Sequence, residues 1–378
     1  MNIKFVKKKI GNSYLIWFQN SNLYFSLEEP AWNVFRKIVK RYKSETIAKE
    51  FSDRYGLSFD ESLKFVVEIR QRINEMNQAT EPEKYVEESS EEFNMRDYPI
   101  YSRHCYDMRN KVIEFSFEFP WLENYIHPLI KHLETTEDFT VKSYFELFTY
   151  NKRVYFRLDK KIIGSWDKNE SPLTKGRIFI ELINVLHNKS EADWLMTVHA
   201  SAISDGRKTI LFSAAPGSGK STIAALLQTK GYNIVSDDFV PIERSSFKAF
   251  PFPIAMSVKE GSLDLLKPHY PELENNPLIT LNPEKRIKYL PIDNRIMKMV
   301  FPVKEFIFIK YDSSVDFVLE KIEPVNAVKT LFEEAWIPPQ PENVSVFLDK
   351  IINISFYSLT YSNNKRALEA ISQLFKNN

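Results

Sequence analysis

The sequence predicts an α/β core, led in by a mixed α+β segment and preceded by a small separate domain of one hairpin and three helices. Three observations carry this prediction. The run "TILFSAAPGSGKSTIAALL" passes from an apolar strand through a glycine turn into an apolar helix. Residues 1–76 hold a complete set of apolar faces of their own. Residues 77–94 carry six glutamates against a single lysine and show no apolar periodicity, which is the composition of a solvated linker.

Within residues 1–76, "SYLIWF" and "LYFSL" flank the polar turn "QNSN" and read as a hairpin. Trp32, Phe35 and Val39, then Ile47 and Phe51, then Phe65, Val66, Ile69 and Ile73 recur at three- and four-residue spacing and predict three helices. Ser58 with Glu61 forms a capping box for the third. A hairpin with three short helices is a winged-helix pattern. The domain boundaries are therefore 1–76, a linker at 77–94, and a second domain at 95–378. From Asp97 to Asp193 the strand-like runs "KVIEFSFEF", "KSYFELFTY" and "RVYFRL" and a helix around Arg177–His187 form the α+β lead-in. Beyond the core, the tail offers two helices, a strand "NISFYSLTY" and a last helix from Asn364.

The chemistry concentrates between Leu211 and Phe239. "AAPGSGKS" fits the phosphate-loop pattern G-x-x-x-x-G-K-[ST], with Ala214 in the first position. Gly217, Ser218 and Gly219 let the backbone wrap an anion, and the helix that opens with Lys220, Ser221 and Thr222 adds its N-terminal dipole. In such a loop the lysine reaches the β- and γ-phosphates of a nucleotide and the serine hydroxyl sits on Mg²⁺. "YNIVS" then reads as a buried strand, and a parallel strand–helix–strand crossover brings Asp237 and Asp238 beside the loop. One of two such carboxylates can hold a metal while the other takes a proton from an attacking hydroxyl. An Asp205-Gly206 two-residue hairpin would pair His199 with Phe212 and set the imidazole near the start of the loop. The basic run Lys285, Arg286, Lys288, Arg295 and Lys298 is either a solvated face or a loop that closes on phosphates. The other five histidines show no ligand spacing, so no zinc site is expected.

The segment "VHASAISDGRKTILFSAAPGSGKSTIAALLQTKGYNIVSDDFVPIE" resembles the catalytic core of the HPr kinase/phosphorylase family, with a histidine strand, a phosphate loop and an Asp-Asp pair in some forty residues. The resemblance implies an α/β P-loop kinase core that uses ATP or GTP with Mg²⁺. In it His199 and Asp238 assist proton transfer, Asp237 and Ser221 hold the metal, and Lys220 binds phosphate. The chain departs from the family at Ala214 and lacks its glycine-arginine-asparagine loop. Residues 1–76 resemble the PqqD-type peptide chaperone, or RiPP recognition element. That implies capture of a leader peptide as an added strand on Tyr24, Phe25, Ser26 and Leu27, and a role in ribosomal peptide natural product biosynthesis. An exposed sheet edge can bind an extended peptide on physical grounds alone.

Composition narrows the alternatives. Of 378 residues, 43% are hydrophobic and 27% charged, and the longest apolar run, "YLIWF", is too short to cross a bilayer. The N-terminus has no signal-peptide pattern, and one cysteine excludes an internal disulfide, which fits a cytoplasmic setting. A net charge of +1 gives no global pull on nucleic acid or membrane, and the third helix carries as many acids as bases, against DNA binding. The expected activity is ATP-dependent phosphorylation of a hydroxyl, in the first place serine, on a peptide or protein held by the N-terminal domain, in a chain open to oligomerisation. Phosphorylation of a free amino acid or other small molecule, and a non-catalytic nucleotide-gated binding module, are the alternatives.

Overall fold

The structure is a computed structural model that describes residues 3–78, 97–108, 111–137, 140–215, 217–283, 285–292 and 299–376. The linker expected at 77–94 lies almost wholly outside the described residues, as do Arg295 and Lys298. The chain divides into two compact units, residues 1–82 with 322–356, and residues 83–321 with 357–378. Among the described residues no helix is long and apolar enough to cross a membrane.

The first unit begins with an antiparallel sheet of β1 (Phe5–Ile10), β2 (Ser13–Phe18) and β3 (Leu23–Glu28), in that order. Helices α1 (Glu29–Val39), α2 (Ser44–Tyr55) and α3 (Phe59–Met76) follow. The expected hairpin is β2–β3, and β1, masked in sequence by three consecutive lysines, adds a third strand. Ser58 and Glu61 form the expected capping box on α3. Ile16, Phe18 and Leu27 face α1–α3 and share one core with Trp32, Phe35, Phe51, Val66 and Ile73. Leu15 and Trp17 point the other way by strand alternation, yet are equally buried. A second layer lies on that face. Tyr24, paired with Trp17, stacks on Phe332 of the helix Pro324–Glu334 at 3.6 Å and meets Phe347 of the helix Pro341–Ile351 edge-on at 6.4 Å. An unbroken apolar run such as "YLIWF" suits a strand covered on both faces. The stretch 322–356, expected within the second domain, therefore folds with the N-terminal sheet.

The second unit contains a five-stranded sheet of β4 (Ser102–Met108), β5 (Lys111–Phe117), β6 (Val141–Tyr150), β7 (Arg153–Leu158) and β8 (Lys161–Asp167), in sequence order. Helices α4 (Pro120–Ile130) and α5 (Ser171–His187) bury their apolar faces in one core with this sheet and with Trp194, Phe250 and Phe252. This is the α+β lead-in. The central sheet carries β9 (Trp194–Val198), β10 (Ala200–Ser204), β11 (Thr209–Ser213), β12 (Asn233–Ser236), β13 (Val240–Glu243), β14 (Lys248–Ala249) and β18 (Phe301–Tyr311). Their spatial order is β12-β10-β11-β18-β14-β13-β9. Helix α6 (Lys220–Gln228) connects β11 to β12. A small antiparallel sheet is formed by β15 (Met256–Lys259), β16 (Ile279–Asn282) and β17 (Lys285–Leu290). After β18 come β19 (Phe317–Ile322), β20 (Ser355–Tyr361), which pairs with both β18 and β19, and the final helix α7 (Asn364–Lys376).

Candidate functional site

The glycine turn between β11 and α6 follows from its local sequence. All five residues of β11 are buried, so the chain leaves the sheet at a fixed point and must turn at once into α6. Gly217 and Gly219 make that turn in the left-handed region, at φ +98° and +92°. Space adds to conformation at Gly219, where a Cβ would lie 2.7 Å from the Tyr361 hydroxyl; one on Gly217 would lie 3.1 Å from Lys259 Nζ, the flexible end of a side chain. The Tyr311 amide donates to the Ser218 carbonyl at 3.2 Å, pinning the loop to the end of β18. Lys220 opens α6 and is 8% exposed.

Strands β11 and β12 run parallel, as expected, but β10 lies between them, antiparallel to both. Both therefore end on one edge of the sheet, and Asp237 and Asp238 follow β12 at the loop. Asp237 is 1% exposed; its two oxygens accept from the hydroxyls of Ser201 and of Ser221, the latter at 2.9 Å. Asp238 adopts φ +62°, uncommon for a residue with a side chain, and its Oδ1 lies 3.1 Å from Lys220 Nζ and 3.3 Å from His199 Nε2. The two carboxyls are driven apart electrostatically. Burial and the neighbouring Asp238 charge raise Asp237 above the usual carboxylate range. Burial acts the same way on Asp238, but His199 and Lys220 outweigh it and hold that carboxyl well below the usual range.

His199 reaches this site by a different register from the one expected. Ser204 pairs with Thr209, not Arg207, so Ser201 stands opposite Phe212 and His199 occupies the bend just before β10. The Asp205 carboxylate accepts from the amides of Arg207 at 2.9 Å and Lys208 at 3.0 Å, closing a four-residue loop in place of a two-residue turn.

A pocket of about 120 Å³ is lined by His199, Ala214, Ala215, Gly217, Gly219, Lys220, Ser221, Thr222 and Asp238, together with Ser257, Lys259, Ser262 and Lys285. Ser218 is not among the lining residues, and Asp237 sits behind Ser221. Thr222 shares a hydroxyl contact of 2.8 Å with Ser262. Lys259 and Ser257 come from β15, which no spacing in the sequence connects to the loop. Of the basic run, Lys285 alone among the described residues lines the pocket; Arg286 pairs with Glu260, and Lys288 donates to the carbonyls of Leu273 and Glu274.

The expected peptide-binding residues all lie on β3, an edge strand of its sheet. Three of their four side chains are already engaged. Leu27 is 3% exposed in the core, Phe25 packs on that core and beneath the Arg72 guanidinium, and Tyr24 is stacked on Phe332. A groove of about 460 Å³ runs between β3 and α3, and another of about 550 Å³ between β3 and the helix Pro324–Glu334, with Lys329 lining both.

No protein-family model matches the chain, and no curated protein matches it in sequence. Among solved structures, the Hpr(Ser) kinase/phosphatase from Coxiella burnetii aligns over 48% of this chain and 88% of that one, at 13% identity and a TM-score of 0.22. A superposition this loose carries no argument about the chemistry of the site.

Proposed function

We propose that the chain is an ATP-dependent kinase that phosphorylates a hydroxyl, in the first place a serine, of a peptide or protein held by the first unit. One observation carries the reading: a loop with two glycines at positive φ, a buried lysine and Asp238 line one pocket, with Asp237 behind Ser221 and the two carboxyls biased in opposite directions. A structural turn would need none of the three cations, Lys220, Lys259 and Lys285, that line it. The donor set fits a magnesium nucleotide, since Ser221 Oγ and Asp237 supply adjacent oxygens and oxygen is the ligand that cation takes. When bound, the ion would neutralise charge on the transferring phosphoryl group.

The residues would divide the work as follows. Loop amides and Lys220 bind and orient the phosphates, and Lys259 and Lys285 add charge from the other wall. Lys220 lies against Asp238; drawn onto the phosphates of a bound nucleotide, it would free that carboxylate to accept the hydroxyl proton, with His199 keeping it oriented. The substrate oxygen attacks the γ-phosphorus as the bond to the β-phosphate oxygen breaks, leaving ADP and the proton on Asp238. For the substrate, the free edge of β3 and the grooves on either side support main-chain capture of an extended peptide. Mg²⁺-ATP should raise the thermal midpoint of the wild-type chain, and Lys220→Ala should remove most of that shift. No shift at saturating nucleotide in the wild type would end the reading.

A further inference from the structure

Far along the chain from the phosphate loop, the five-stranded sheet carries a compact group of nitrogen and oxygen ligands. His104 and Tyr106 alternate with Arg103 and Cys105 on β4, and Tyr106 belongs to the core that β4 shares with α4. Glu123 and His127 stand one turn apart on α4. Glu134 follows α4 closely and is fixed by a backbone bridge to Tyr106, reinforced by the Thr135 amide donating to the Cys105 carbonyl at 2.9 Å. Core packing of β4 on α4 and the backbone bridge to Glu134 thus bring the three segments together.

His104 Nδ1 lies 2.6 Å from Glu134 Oε1 and its Nε2 lies 2.7 Å from Glu123 Oε1. His127 Nδ1 lies 2.7 Å from the Tyr106 hydroxyl, and the two imidazoles stack at 4.2 Å. One ligand atom each from His104, His127 and Glu134 fall within 4.8 Å of one another. We propose that His104, His127 and Glu134 form a binding site for a borderline divalent cation of the zinc class, with Glu123 and Tyr106 as positioning residues.

The outer hydrogen bonds argue for a built site. A metal-bound imidazole gives its remaining N–H to an oxygen acceptor, which fixes the tautomer and turns the other nitrogen to the ion. Glu123 stands at His104 Nε2 and the Tyr106 hydroxyl at His127 Nδ1, where such partners would sit, and the Glu134 carboxylate faces His104 Nδ1 from the side where an ion would enter. Two imidazoles and one carboxylate suit zinc, cobalt or nickel, whereas magnesium and calcium prefer oxygen alone. Three protein ligands leave a fourth position for water. The ion would join the edge strand β4 to α4 and the segment after it.

The test uses the full chain, stripped with a chelator and titrated with zinc chloride, then with Co²⁺ followed by visible absorption. One equivalent should bind at micromolar affinity or tighter, raise the thermal midpoint, and give a cobalt spectrum without a thiolate charge-transfer band. His104→Gln and His127→Gln should each lower affinity ~100-fold or more, and Glu123→Gln ~10- to 100-fold. The shift produced by Mg²⁺-ATP should stay unchanged in all three. Glu134→Gln, at the exposed end of the cluster, replaces a histidine variant that fails to fold. Absence of zinc uptake by the wild type, or uptake unchanged by the substitutions, would overturn the site and leave His104 as an imidazole clasped between two glutamates.

Discussion

Asp238 shows how much can rest on one side chain. It spends backbone strain on a left-handed conformation and places a single oxygen against both Lys220 and His199. As the proposed base and not a principal phosphate contact, it is open to a clean separation: Asp238→Asn should lower kcat ~100-fold or more while nucleotide affinity stays within a few-fold. Intact turnover would move the role to Asp237. Lys175 of α5 is a second cation that feels Asp238, and unlike Lys220 it was not signalled by any motif. Burial lowers its amine to about 8, Asp238 opposing the shift and Lys285 adding to it. Below pH 8 the ammonium is charged in folded and unfolded chains alike, and the cost of burying it is present in full. Between pH 8 and its unfolded value near ~10.4 the unfolded chain holds more protons, so stability rises with pH. Lys175→Met should therefore unfold at a higher temperature than wild type at pH 7, with the gap closing toward pH 10.5. Parallel thermal melts across that range check it; a constant gap would show that the amine does not titrate early.

At the scale of elements, what was legible in the sequence is what local physics decides. The strand–loop–helix–strand run from β11 to β12 is announced by consecutive apolar residues and by two glycines at positions whose positive φ favours glycine. The capping box of α3 is likewise local. The register of β10 on β11 was not legible, because it turns on which amides the Asp205 side chain captures, a choice that "SDGRK" does not display. Lys259, and the meeting of His104, His127 and Glu134, depend on strands and helices packing across long sequence separations, and no spacing encodes that. The loop offers an internal comparison. Gly231 has φ +90° and open space where a Cβ would go, while Gly219 at φ +92° faces the ring hydroxyl of Tyr361, itself 1% exposed. Gly231→Ala should thus cost only the left-handed strain, about 1–2 kcal/mol. Gly219→Ala should cost more and abolish the Mg²⁺-ATP shift, and adding Tyr361→Phe should restore stability in part. Equal melting points for the two alanine variants would remove the steric argument.

At the scale of the whole molecule, the chain leaves its N-terminal unit, builds the second unit with its glycine loop, and returns through residues 322–356 to complete the unit it left. This changes how the substrate question can be asked. Deleting residues 1–76 would strip Phe332 and Phe347 of the sheet they pack on, so lost activity in such a fragment would report damage as readily as lost recognition. Single substitutions on the β3 edge avoid the difficulty. Amides alternate in direction along a strand, so of Phe25 and Ser26 one donates inward to β2 and the other outward to the open edge. Proline at the inward position breaks the ladder; proline at the outward position removes one edge donor and leaves the fold. The better-folded of Phe25→Pro and Ser26→Pro is the informative variant. If an extended peptide adds to β3, that variant should raise KM for the peptide ~10-fold or more, with kcat and ATP affinity within a few-fold of wild type. Fluorescence polarisation of a labelled peptide should weaken in parallel. An unchanged KM, together with an unchanged melting point, would set peptide capture aside and leave a small-molecule hydroxyl as the acceptor at the phosphate loop.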